Sequence, residues 1–383
     1  MIASDFIDRR LRLFNLLKNK QASVIIYGRN VLKRSPSVRY QFNQFSDLVY
    51  LTGYTRPGGI LTIHEQDGKP FSTLYLPPRI PYEEMWEGFR TPFEEAQKFS
   101  GVDKVLPTSE LEYWIARRIQ TPSLIFSSAP PHQKRHSPKF QSISQYIDLL
   151  RIIKSPKEIS LIKKACEISK AAHNISLSIA KPGVSEAQVA SRFKLECIER
   201  GATGFSYPIV CASGKNATSL HYIENNKIMK EGECLMMDAG CEYMNYASDF
   251  TRTVPIGKIS EAHSDLLEMV DEIKNFLVRK AQKGQIYSLG LLHHLSEDML
   301  MRGLTQFGLK LNINQLREYY PHYVSHWIGL DVHDCDSIGY DFKLKKGCVF
   351  SVEPGIYFPE DSLDIPKELR GIGCRFEDTV IIE

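Results

Sequence analysis

Two aspartates in one short stretch could act on the same charge. The run Leu235-Met236-Met237-Asp238 is apolar until its last residue, and a short polar loop follows. A second strand-like run then carries Asp249, ahead of Phe250-Thr251-Arg252-Thr253. Read as an antiparallel hairpin turning between Tyr243 and Met244, the stretch sets Asp238 opposite Asp249, with both carboxylates on one face. Carboxylates that close repel unless something positive lies between them, and a divalent metal ion is the usual answer. Taken alone, the stretch leaves a plainer option open: Asp238 as a turn residue and Asp249 as a solvated strand residue.

Four other places carry residues that bind metals or move protons. His221 stands in Ser219-Leu220-His221-Tyr222. His322, His326 and His333 fall within Pro321–Asp334, Glu353 follows the apolar run Val349–Val352, and Glu377 lies in Gly371–Asp378. In an extended strand Arg375 and Glu377 share a face, so the guanidinium can steady a neighbouring carboxylate. Singly, each has an ordinary explanation: a core or surface histidine, a Glu before a Pro-Gly turn, a surface ion pair. The joint order His, Asp, Asp, His, Glu, Glu is what points to a metal site.

These residues need elements to hold them. Residues 1–150 mix helical stretches (5–18 and 109–120) with strand-like runs at Ser23–Tyr27, Leu48–Leu51, Ile60–His64, Ser72–Leu76 and Ser123–Phe126. Arg56-Pro57-Gly58-Gly59 and Asp67-Gly68 punctuate them as turns, which predicts an α/β domain. At Ser155-Pro156-Lys157-Glu158 a serine N-cap, a proline at the first helical position and a capping-box glutamate open a long helix, predicted to run to about Ala180. The division into domains is therefore expected at 1–150 and 151–383. Helices are predicted over 185–200, 261–282 and 286–307, with strands closing the chain, the last over Cys374–Glu383.

At 383 residues the chain is too long for one ordinary core, so two domains are expected. Apolar residues at 43% and charged residues at 24% exclude a disordered chain. A net charge of +3 is too balanced to indicate nucleic acid or an anionic membrane as a partner. No run reaches the roughly 18 apolar residues of a membrane span. The eight cysteines show no metal-binding spacing and are read as free thiols in a reducing compartment, hence a cytoplasmic protein. Arg9, Arg10 and Arg12 suggest a transit peptide, but Asp5 and Asp8 count against it.

From about Arg151 onward the sequence resembles the metallopeptidases of the pita-bread fold, a group that includes methionine aminopeptidase, prolidase, aminopeptidase P and the metal-free creatinase. The stretch Ser325-His326-Trp327-Ile328-Gly329-Leu330-Asp331-Val332-His333-Asp334 is most similar to aminopeptidase P. Ser46-Asp47-Leu48-Val49-Tyr50-Leu51-Thr52-Gly53-Tyr54 and Trp86-Glu87-Gly88 resemble the first domain of that subfamily. Tyr323-Val324 departs from it, replacing a more usual glycine-containing pair. The resemblance implies a smaller N-terminal α/β domain followed by a C-terminal pita-bread domain, α/β (α+β) in class.

It further implies metal ligands at Asp238, Asp249, His326, Glu353 and Glu377, with Asp249 and Glu377 bridging. Four such carboxylates balance two divalent ions, whereas a single ion would leave buried charges uncompensated. The oxygen-rich set favours Mn²⁺, with Co²⁺ or Zn²⁺ able to substitute. Two ions about 3.5 Å apart acidify a shared water for attack on a peptide carbonyl. By the same resemblance Glu353 is also the general base, His221 and His333 stabilise the reacting peptide, and Arg375 bonds to ligand carboxylates. His322 and Tyr357 line a proline pocket, with Trp86 of a neighbouring subunit as a wall. The expected activity is release of the first residue from Xaa-Pro peptides by a homo-oligomer, dimer or tetramer. Prolidase, restricted to Xaa-Pro dipeptides, is the nearest alternative, and a peptide-binding module without catalysis a more distant one.

Overall fold

The computed structural model describes residues 1–128 and 140–383 and divides into two compact units, Met1–Leu150 and Arg151–Glu383. Helices of the first unit are α1 (Ala3–Leu17), α2 (Ser46–Thr52), α3 (Pro81–Glu87), α4 (Phe93–Ser100), α5 (Leu111–Ile119) and α6 (Ser144–Arg151), the last running on to the unit boundary. Its strands are β1 (Ser23–Tyr27), β2 (Ile60–Gln66), β3 (Lys69–Leu76), β4 (Lys104–Pro107), β5 (Ile125–Ser127) and β6 (Phe140–Ser142). They form one mixed sheet in the order β4-β3-β2-β1-β5-β6. Ile25, Tyr75, Ile125, Leu111 and Ile115 form a core where that sheet meets α5.

The apolar run Leu48–Leu51, expected as a strand, lies inside helix α2. All four of its residues are buried, and a short run buried all round reads the same in either conformation. Gly53 ends that helix at φ 72°, a left-handed conformation that glycine adopts without strain. Arg9 and Arg10 are both buried in α1. The Arg10 guanidinium donates to the Leu51, Ser100 and Gly101 carbonyls at 2.7, 2.9 and 2.6 Å, satisfying helix ends that would otherwise lack donors.

In the second unit Ser155 and Glu158 close the expected capping box on α7 (Pro156–Leu177). The chain continues through α8 (Glu186–Glu199), β7 (Gly204–Phe205), β8 (Val210–Ser213), β9 (Glu233–Asp238), β10 (Cys241–Tyr243), β11 (Tyr246–Ala247) and β12 (Thr251–Ile256). Then come α9 (Glu261–Gln282), α10 (Leu289–Leu304), α11 (Ile313–Tyr319), β13 (Val349–Val352), β14 (Gly355–Phe358), β15 (Ile372–Arg375) and β16 (Asp378–Ile381). Small antiparallel sheets carry the site: β12-β9-β8, β13-β16 and β14-β15. A large apolar core lies beneath, with Leu266, Val270 and Leu277 of α9, Leu292 and Leu300 of α10, and Phe350, Ile356 and Phe358 of the strands. The closing strand expected over Cys374–Glu383 is interrupted: β15 and β16 pair with different partners and leave Glu377 between them.

Candidate metal centre

The hairpin exists, but its register differs from the expected one by two residues. Asp238 faces Thr251, and the turn falls at Met244 and Asn245, which both have positive φ (52° and 68°). Two consecutive left-handed residues give a turn whose twist matches the flanking strands. The side-chain period of a strand is two, so this shift keeps Asp249 on Asp238's face and moves it along to a diagonal position. Gly240, across from Asp249, is required there: a Cβ would fall 1.9 Å from the Ser248 carbonyl oxygen. The two carboxylates do meet, and the Tyr207 hydroxyl ties them together, donating to Asp238 Oδ1 at 2.6 Å and also contacting Asp249 Oδ1.

His326 arrives from a segment laid antiparallel along β13. Glu353 N–H donates to the Val324 carbonyl at 2.8 Å and Ser351 N–H to the His326 carbonyl at 2.9 Å. This pairing aims the His326 Nε2 between Asp249 Oδ2 and Glu353 Oε1, at 3.2 and 3.3 Å. Ser351 Oγ accepts from the His326 amide and donates to Glu353 Oε1 at 3.1 Å, so one hydroxyl orients both side chains. Glu377 enters from the gap between β15 and β16. Its Oε2 accepts from Thr251 Oγ1 at 2.8 Å. Ligand atoms of Asp249, His326 and Glu377 lie within 4.8 Å of one another.

Arg375 stands beside the carboxylates, on Asp238 and not on its strand neighbour Glu377. Its Nη2 donates to Asp238 Oδ2 at 2.6 Å, Nη1 to the Tyr357 hydroxyl at 2.6 Å and Nε to Thr251 Oγ1 at 3.2 Å, so it reaches Glu377 only through Thr251. The chain bends at Phe376 between the two strands, which removes the simple alternation that would place Arg375 and Glu377 side by side. A second polar line joins His322 Nε2 to the Tyr357 hydroxyl at 2.9 Å. His322 Nδ1 faces the Tyr323 carbonyl at 2.8 Å, so Nδ1 carries the proton and Nε2 accepts from Tyr357. His333 meets His326 edge-on, with ring centroids 4.4 Å apart. His221 is exposed, within electrostatic reach of His333. Trp86 belongs to the first unit, 75% exposed on α3.

Electrostatics mark this basin as short of positive charge. Burial and then the neighbouring carboxylates push Glu377 well above the ordinary range. Burial also raises Asp238, with Arg375 opposing and Asp249 adding to the rise. Glu353 is pushed up to about 7 by burial, against the pull of His326 and Arg375. Burial disfavours a charged His326, yet Asp249 and Glu353 outweigh it and raise the imidazole to about 9. Burial and the nearby Arg375 lower His322 to about 3, which keeps it neutral. Glu377 Oε1 is buried with no hydrogen-bond donor among the described residues. An acceptor of that kind, four carboxylates and one imidazole fit hard divalent cations held mainly by oxygen.

Tyr207 and Thr251 are members of the site that reading the sequence missed. Thr251 shares a face with Asp249 by strand alternation, a signal that was available. Tyr207 reaches Asp238 across 31 positions and has no local signature.

Comparison with known proteins follows the same lines. Residues 160–383 match the family model described as Metallopeptidase family M24, and residues 6–126 match that of the Aminopeptidase P, N-terminal domain. The Xaa-Pro aminopeptidase of Escherichia coli (strain K12) is 31% identical over 411 residues, covering 99% of this chain and 92% of its own length. An Arabidopsis thaliana protein, "Intermediate cleaving peptidase 55, mitochondrial", is 30% identical over 390 residues, 99% of this chain and 78% of its own. The solved structure of E. coli aminopeptidase P with the inhibitor Pro-Leu superposes with a TM-score of 0.88 at 28% identity, covering 100% of this chain and 93% of that one.

Proposed function

The chain belongs to metallopeptidase family M24, and from that membership and the basin's geometry we propose an Xaa-Pro aminopeptidase acting through a two-ion centre. It is a metallo-aminopeptidase that releases the first residue of peptides with proline second. The observation that carries this reading is the convergence of Asp238, Asp249, His326, Glu353 and Glu377 on one buried spot beside a single guanidinium. These five would hold the ions, with Asp249 and Glu377 shared between them and Mn²⁺ as the preferred ion. Bound there, divalent ions supply Lewis acidity toward the scissile carbonyl and make water a better nucleophile at neutral pH.

The residues divide the remaining work. Glu353, between His326 and His322, would hold the proton taken from the attacking water and return it to the leaving nitrogen. His333 and His221 face the reacting peptide and stabilise the charge that develops on its carbonyl oxygen. Arg375 fixes Asp238 and, through Tyr357, the tautomer of His322. Neutral His322 and Tyr357 then offer a flat wall for a prolyl ring. That ring has no N–H for a general peptidase to grip, so shape must hold it. Trp86 completes the wall from a neighbouring copy in a homo-oligomer; a strictly monomeric protein by light scattering would remove it. The eight free thiols support a reducing compartment, which we take to be the cytoplasm. No helix among the described residues is long and apolar enough to cross a membrane.

The test is direct. Mn²⁺-loaded protein given an Xaa-Pro-Xaa tripeptide should release free Xaa, and should do so from a tetrapeptide as well. No release from either peptide would refute the activity. Cleavage confined to an Xaa-Pro dipeptide would return the chain to prolidase chemistry, which its relatives do not favour.

A further inference from the structure

A buried histidine outside the proposed ligand set holds the backbone of the segment that carries His322 and His326. His293, on α10, is 7% exposed, and its Nδ1 accepts from the Val324 amide at 3.2 Å. With the Nδ1 lone pair engaged, the ring proton belongs on Nε2, which faces Glu297 Oε1 at 3.3 Å. Glu297, itself buried, is fixed by Arg317 Nε at 2.7 Å and by His294 Nδ1 at 3.2 Å. The next peptide is tied as well, because the Val324 carbonyl takes the Glu353 amide at 2.8 Å. Val324 is thus anchored between α10 and β13, two residues from His322 on one side and from His326 on the other.

We propose that His293 is a positioning residue for the metal centre. Held in one tautomer by Glu297 and Arg317, its imidazole anchors the Val324 amide and thereby sets the reach of His326 toward Asp249 and Glu353. The same anchor fixes the Tyr323 carbonyl that orients His322. A purely apolar residue would fill the space between Tyr320 and Tyr323, whose rings lie 5.9 and 4.4 Å from that of His293. It would leave the Val324 N–H buried without its acceptor, the expensive outcome for a group cut off from water, and take one of three donors from the Glu297 carboxylate. Tyr323 packs against this same ring.

The inference rests on His326 being a ligand, and the experiment separates the two ideas. Asn places its Oδ1 near the position of the imidazole Nδ1, whereas Gln places its polar end near Nε2. Mn²⁺ affinity is measured by calorimetry on wild type, His293→Asn and His293→Gln, with kcat, KM and melting temperature recorded alongside. His293→Gln should bind Mn²⁺ about 10- to 100-fold more weakly, the usual cost of losing a group that orients a ligand. His293→Asn should recover most of that loss, with kcat following metal affinity and KM nearly constant. Equal affinities for the two variants, whether both intact or both impaired, would overturn the positioning role. Should His293→Gln fail to fold, Glu297→Gln frees the tautomer while keeping the ring, and unchanged metal affinity in that variant would overturn it too. Wild type that binds no Mn²⁺ would instead remove the metal-centre reading itself.

Discussion

The second unit buries two acidic clusters, and they are built on opposite principles. At the first, Asp334 is 2% exposed and meets Arg151 at Oδ1 and Lys154 Nζ at Oδ2, 3.0 Å away. Burial would raise its pKa, but the two cations outweigh burial and hold it below the ordinary value. At the second, Asp238, Asp249, Glu353 and Glu377 share one guanidinium, which touches only Asp238 directly. There three of the carboxyls are raised, and a proton is drawn onto His326. A buried charge is tolerated when its partners are built into the chain, as at Asp334, and that arrangement contributes to folding. Where the partners are missing, the arrangement is costly unless a cation arrives from solution, and residues that carry such a cost are candidates for function.

The sharpest way to break the comparison is to remove one carboxylate from each cluster. Asp249→Asn takes away a proposed bridge and should abolish Xaa-Pro hydrolysis, a loss greater than the roughly 100-fold expected when a residue merely steadies a ligand. Wild-type turnover in this variant would show that the ligand assignment is wrong. Asp334→Asn should do the reverse. It takes the carboxylate from buried Lys154 and one carboxylate from Arg151, which keeps Asp331 at 2.7 Å, at an expected cost of about 3–5 kcal/mol in a denaturant titration, while Mn²⁺ affinity per folded molecule is kept. A mild effect on stability there would deny the first cluster its structural role.

How far the sequence speaks for each cluster differs for a physical reason. The acidic basin was legible because its residue types are unusual together and recur at recognisable places: Asp238 and Asp249 on one hairpin, His326 before Trp327, Glu353 before Pro354. The hairpin's turn was not, since Met244 and Asn245 carry no glycine to mark where the chain reverses, and the register followed that error by two residues. The ion network around Asp334 gave no signal at all. Its partners lie 183 and 180 positions away, and an Arg or a Lys at a helix boundary looks like any solvated charge. Leu48–Leu51 shows the same limit in the first unit, where burial on every side erases the periodicity that separates helix from strand. The capping box at Ser155 and Glu158 was legible because both of its hydrogen bonds span only three residues.

The smallest effect, and the one that sets the clusters most directly against each other, is the pH dependence of stability in chelator. Asp334 has a folded-state pKa below its ordinary 3.8, so its contribution is complete above that value and is lost as pH falls through the folded one. Glu353 behaves oppositely. Between its ordinary 4.5 and about 7 the folded chain holds a proton that the unfolded chain has released, so stability falls as pH rises through that interval. His326, raised from 6.5 to about 9, adds in the same sense: its share is present below 6.5 and lost on the way to about 9. Metal-free protein should therefore melt highest at about pH 5 and lower at each step toward about pH 9. Mn²⁺ competes with those protons for the same carboxylates and imidazole, so its stabilising effect should grow over the same range. At an ion concentration roughly 100 times Kd it should reach about 2.7 kcal/mol. Melting curves recorded with chelator and with Mn²⁺ across that range should diverge; curves that stay parallel would mean that the basin carries no uncompensated charge and that the two clusters are alike.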